Sequence, residues 1–94
     1  MLSAQELDGY EKSARAAIRH MKERAIIRSS KADWRLVAAA MAMRSNAYSD
    51  EVDAAAAMGK TVSQRREVAQ WVAKLGQLEQ LGQGLREGQR RWQG

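Results

Sequence analysis

The sequence predicts an all-α fold of three long helices, and three observations carry that prediction. The 94 residues include no proline and no phenylalanine, while alanine is abundant. Helix propensity is therefore high throughout, and strand formers are few. Apolar residues recur at three- and four-residue steps in each third of the chain, the period of a helix that buries one face. Three helix-start signatures divide the chain into nearly equal parts: Ser3-Ala4-Gln5-Glu6, Ser30-Lys31-Ala32-Asp33 and Thr61-Val62-Ser63-Gln64. In each, a hydroxyl placed to accept a first-turn N–H stands three residues before an acid or amide that can reach back.

The first helix is predicted over residues 4–28. Leu7, Tyr10, Ala14, Ala17, Ile18, Met21 and Ala25 form its apolar stripe, and Ser29-Ser30 ends it. The second is predicted over 31–58, with Trp34, Val37, Met41, Tyr48, Val52, Ala55 and Met58 on one face. Its middle, Ser45-Asn46-Ala47-Tyr48-Ser49, is rich in turn formers. Ser49 followed by Asp50, Glu51 and Asp53 is itself a helix start, with acids where the dipole favours them. This third is either one kinked helix or two shorter ones broken near residues 45–49. Gly59 marks its end.

The third helix is predicted over 62–92. Val68, Trp71, Leu75, Leu78, Gly82, Leu85, Gln89 and Trp92 form a coiled-coil-like seam, widened by Val72 and Leu81. Gly76, Gly82, Gly84 and Gly88 each cost about 1 kcal/mol relative to alanine inside a helix. They imply a close backbone approach or ordering against a partner. Short corners between long helices favour an antiparallel bundle forming one domain over residues 1–94. The alternative is a helical hairpin with a dimerising third helix.

Composition limits the function. The chain has no cysteine, which excludes a disulfide framework and a thiolate metal site. Its apolar runs fall short of the ~18–20 residues of a membrane span, and the acidic start lacks the pattern of a secretory leader. A soluble, cytoplasmic protein without a membrane partner is expected. The abundance of arginine and alanine suggests a GC-rich bacterial or phage genome. Net charge is +5 and unevenly placed: residues 1–11 carry −3, residues 12–35 carry +6.

Catalytic residues, metal ligands and cofactors are not expected. His20 is the single histidine, and no nucleophile, base and orienting group can be assembled around it. Asp50, Glu51 and Asp53 read as complements to a helix dipole. Gly59-Lys60-Thr61 resembles the end of a nucleotide-binding phosphate loop, but Ala54 occupies the first glycine position and no strand precedes it.

The expected activity is therefore binding. At 100° per residue, Lys12, Arg15, Arg19 and Lys22 fall within about 80° of one another beside the apolar stripe. Their stems can flank a buried contact while their charges face an acidic partner. With Val68, Trp71, Leu75, Leu78, Leu85 and Trp92 they form the predicted partner-binding set. The expected partner is a larger protein with an acidic and apolar surface, or a second copy. The reading is a regulator, inhibitor, adaptor or chaperone that docks a helix face on that partner.

A second reading concerns residues 54–71. Ala54-Ala55-Ala56-Ala57-Met58-Gly59 resembles the first helix and turn glycine of a helix-turn-helix, and the segment from Thr61 to Trp71 resembles its recognition helix. The resemblance implies DNA contacts from Thr61, Ser63, Gln64, Arg65 and Arg66. The sequence departs from that pattern at two positions. Lys60 stands where an apolar residue follows the glycine, and Arg65 stands where the second helix should first bury a residue.

Overall fold

The computed structural model describes residues 2–29 and 31–93, with the side chains of the last helix described as far as Gly82. Among the described residues there are four helices, not three. These are α1 (Ala4–Glu23), α2 (Trp34–Arg44), α3 (Glu51–Ala57) and α4 (Arg65–Gln93), the last preceded by a 3-10 turn (Val62–Gln64). There is no strand among the described residues. No helix among them is long and apolar enough to cross a membrane.

The first start signature forms as expected. The Glu6 N–H donates to Ser3 Oγ at 3.2 Å, and the hydroxyl donates to Glu6 Oε1 at 3.1 Å. The second is corrected. Helix α2 begins at Trp34 rather than residue 31, because Asp33 is the cap: its Oδ1 accepts the Arg35 N–H at 3.0 Å. Ser30 lies outside the described residues. At the third, the Thr61 N–H donates to Gln64 Oε1 at 3.2 Å, and the Thr61 and Ser63 hydroxyls pair at 2.8 Å.

Helices α1, α2 and α3 stop by one device. The Ile26 N–H reaches the Met21 carbonyl (2.9 Å) and the Ala25 N–H reaches Lys22 (3.1 Å). Ala47 and Asn46 bond likewise to Ala42 and Met43, and Lys60 and Gly59 to Ala55 and Ala56. Each is the paired 6→1 and 5→2 closure that satisfies terminal carbonyls. It requires a left-handed residue, and Ala25 (φ 58°), Asn46 (φ 63°) and Gly59 (φ 76°) supply it.

Helix α1 thus ends at Glu23 and not at residue 28. Had it continued, Ile26 and Ile27 would lie more than about 100° from the Ala14–Ala17–Met21 stripe, facing water. Reversal after Arg24 instead buries Ile27 and half-buries Ile26. The break between α2 and α3 has a similar local cause. Ser45 Oγ donates to the Ala42 carbonyl at 3.1 Å, Asn46 turns the chain, and Asp50 Oδ1 caps α3 through the Val52 N–H at 2.7 Å.

Helix α2 is central and packs against α1, α3 and α4. It is apolar all round: Leu36, Val37, Ala38, Ala39, Ala40 and Ala42 are all buried, as expected of a helix enclosed on every side. The single face predicted for residues 34–58 therefore does not exist. Among the described residues, eight of the fifteen buried apolar ones are alanine, so the helices approach closely and leave little room for a larger side chain. Met21, Met58, Val37 and Val68 are the largest fully buried residues.

The Asp33–Lys60 ion pair and the Arg35–Met58 hydrogen bond set the end of α3 beside the start of α2. From there α4 runs alongside α2, reaching its far end where Arg44 pairs with Glu79. The molecule measures 48 × 25 × 22 Å. Its long axis matches the ~43 Å length of a 29-residue helix at 1.5 Å per residue.

Candidate binding surface

The cations of α1 divide into two groups. Lys12 pairs with Asp8 at 3.2 Å one turn back, and Arg15 with Glu11 at 3.5 Å. Arg19 and Lys22 are exposed and form no ion pair among the described residues. Arg15, Arg19 and Lys22 line a 270 Å³ depression with Ile18 and with Ala32 from the loop between α1 and α2. Beside it, Trp34 is half-buried between two guanidinium groups, Arg15 at 5.8 Å and Arg35 at 5.4 Å from its ring centre. Arg35 is held there by its own bond to the Met58 carbonyl, 3.3 Å.

The same loop walls a second, larger recess of 610 Å³ on its other side, against α4. Ile27 and Leu36 are its buried apolar lining, and Ile26 and Trp71 are half-buried beside them. Arg28, Lys31 and Lys74 bring positive charge, and Lys74 stands 5.5 Å from the Trp71 ring centre. Two carboxylates also line it, Asp33 and Glu67. Burial alone would raise the Asp33 pKa. The Lys60 hydrogen bond, the Arg35 N–H and the charges of Lys60 and Arg35 outweigh it, and the carboxyl is held below its ordinary 3.8. Asp33 is thus paired, while Glu67 has no ion-pair partner among the described residues.

These recesses lie at one end of the molecule, and the fold gathers its charge there. The end of α1 brings Arg19, Lys22 and Arg24. The loop brings Arg28 and Lys31, and α2 brings Arg35. The corner between α3 and α4 brings Lys60, Arg65 and Arg66, and Lys74 follows on α4. Around the two recesses, Arg15, Arg19, Lys22, Arg28, Lys31 and Lys74 meet two lining carboxylates, Asp33 and Glu67. Lys12 and Arg15 are offset by Asp8 and Glu11, and Arg44 by Glu79. Ala32 lines both recesses, so the loop carries the positive surface from the α1 stripe to Lys74 on α4, some fifty residues further along the chain.

Several expected contact residues are placed elsewhere. Val68 and Leu75 are buried in the chain's own core, so neither is free for a partner. Trp71 and Leu78 are half-buried on its flank. The side chains of Leu85 and Trp92 lie outside the described residues. Of the five residues assigned to DNA contact, Thr61, Ser63 and Gln64 hold the start of α4 through bonds to one another. Arg65 and Arg66 are exposed. Gly59 adopts the left-handed conformation of a turn glycine, and an added Cβ would lie 2.8 Å from Arg35 Nη1.

The residues that sequence reasoning missed are those of the larger recess, above all Ile26, Ile27, Lys31 and Lys74. A signal was present for two of them, since Ile26 and Ile27 break the phase of the α1 stripe. No cluster of His, Asp or Glu suited to a metal ion occurs among the described residues. Comparison with protein-family models, curated proteins and solved structures finds no match to this chain.

Proposed function

We propose that this chain is a small, non-enzymatic helical binding module whose basic end docks on an acidic surface of a larger protein. It serves that partner as a regulator, inhibitor, adaptor or chaperone, within the cytoplasm. One observation supports this most: the α1–α2 loop sets six cations and two half-covered tryptophans at two adjoining recesses, against two lining carboxylates. Such a concentration raises the encounter rate with an oppositely charged surface and selects its orientation. The half-covered tryptophans suit an interface centre, where tryptophan and arginine dominate binding energy.

A second reading has its own support. Arg65 and Arg66 stand exposed at the start of α4, directly after the Gly59 turn and within the basic end. That is where a helix-turn-helix presents its reading residues, so a DNA-binding regulator is the alternative. A second copy pairing through α4 is supported by Leu81, 45% exposed, and by the open space around Gly82. Light scattering that gives twice the chain mass at micromolar concentration is the expected result for the pair, and a monomer excludes it.

Anisotropy titrations separate the two main readings. A fluorescent glutamate-rich peptide and a random duplex are titrated with the protein at 50 and 200 mM salt. The docking reading predicts peptide binding that weakens about tenfold or more in Arg19→Glu/Lys22→Glu. It predicts a smaller loss in Lys12→Gln, at a residue that lines neither recess. Duplex binding that falls by about a thousandfold or more over that salt range, with none to the peptide, supports DNA binding instead.

A further inference from the structure

We propose that the 610 Å³ recess between the α1–α2 loop and α4 seats a large apolar side chain carried on an acidic segment of the partner. This rests on reading the basic end as the docking surface, and it specifies what that surface recognises: an apolar anchor flanked by carboxylates. A uniformly basic plane would be enough to attract an acidic protein. This recess is not uniform.

Its lining is apolar, with Ile27 and Leu36 buried and Ile26 and Trp71 half-buried. Its polar residues are three cations, Arg28 and Lys31 from the loop and Lys74 from α4, with Ser29, Asp33 and Glu67. Lys74 sits 5.5 Å from the Trp71 ring centre, so its ammonium stands beside the apolar lining. The volume falls within the ~300–1,000 Å³ of sites that enclose a small ligand. Asp33 is matched by Lys60, so its charge does not oppose an acidic segment. Glu67 is the one carboxylate there without an ion-pair partner among the described residues. Three cations against that single charge select an acidic segment over a basic or neutral one, and the lining selects an apolar side chain within it. The neighbouring depression, with Arg15, Arg19 and Lys22 across the Ala32 wall, continues the positive surface for carboxylates beyond the anchor.

The test varies the peptide first, so that it does not depend on a protein variant folding. Three labelled twelve-residue peptides are titrated with the wild-type chain. One is glutamate-rich with a central phenylalanine, the second replaces the phenylalanine with serine, and the third places it among lysines. Burial of the ring predicts binding ~10–100-fold tighter for the first than for the second. Trp71→Ala should shrink that ratio to about threefold or less, and Ile26→Ser, a milder change to the same lining, should also reduce it. Glu67→Gln should tighten both acidic peptides by several-fold. Equal affinity for the phenylalanine and serine peptides overturns the recess proposal and leaves the docking surface standing. Failure of both acidic peptides to bind overturns the docking reading itself, and the inference with it. Equal binding of the lysine-rich peptide removes the charge selection, and tight binding of a single-stranded oligonucleotide in place of the acidic peptides assigns the recess to a base.

Discussion

The loop that walls both recesses depends on one residue held against its preference. Ala25 has φ 58° and is exposed, and its N–H closes the end of α1. An L-residue in this region costs about 1–2 kcal/mol. Glycine removes that cost and gives back about 0.4–1 kcal/mol through its freer unfolded chain. Because Ala25 is exposed, its methyl group contributes little packing. Ala25→Gly should therefore stabilise the fold by about 0.5–1 kcal/mol. For a domain of this size that is ~3–6 °C in melting temperature. Thermal melts followed by circular dichroism at 222 nm measure it directly. Ala25→Val, which adds a β-branched side chain at the same φ, should shift the melt downward. An unchanged or lowered melting temperature in the glycine variant would refute the left-handed turn, and with it the course of residues 24–33 that places Arg28, Lys31 and Ala32.

Other substitutions probe the rest of the frame. Gly59→Ala places a methyl at φ 76° within 2.8 Å of Arg35 Nη1, and should cost about 1–2 kcal/mol by urea denaturation. Ala39→Leu enlarges a residue with no exposed surface in the enclosed helix α2, and should cost about 1–3 kcal/mol or broaden the transition; no change would mean that α2 is not enclosed. The Asp33 pKa lies below its ordinary value in the folded chain. Its stabilisation is therefore full above that ordinary value and is lost as pH falls through the folded one. Asp33→Asn should lower the urea midpoint at neutral pH and flatten its decline toward about pH 3, and an unaltered acid limb would count against the Lys60 pair.

Much of the fold was legible because local chemistry and tertiary packing agree there. The Ser3 cap, the Gly59 stop and the turn at Ser45-Asn46 all form where the residue types place them. The misreadings fall where packing overrode local preference. Alanine is the best helix former, so nothing at Ala25 itself announces the end of α1; only the misphased Ile26-Ile27 pair does. Asp33 stands three residues after Ser30, as a reaching-back acid would, but it is itself the cap. The spacing of residues 34–58 points to one apolar face, but an enclosed helix such as α2 has none. The binding surface was half legible. The α1 stripe follows from spacing, but Asp8 and Glu11 pair with its first two members, and its continuation to Lys74 depends on the course of the α1–α2 loop between the two recesses.

Docking at the α1–α2 loop and the start of α4 is read most directly from a map of amide shifts. The ¹⁵N-labelled protein is titrated with the glutamate-rich phenylalanine peptide, and shift changes are followed residue by residue. The account predicts changes concentrated at residues 19–35 and 60–74, with residues 4–12 and 50–57 unmoved. Changes centred on residues 4–12 and 50–57, or spread along α4 beyond residue 82 with residues 19–35 and 60–74 silent, would contradict it.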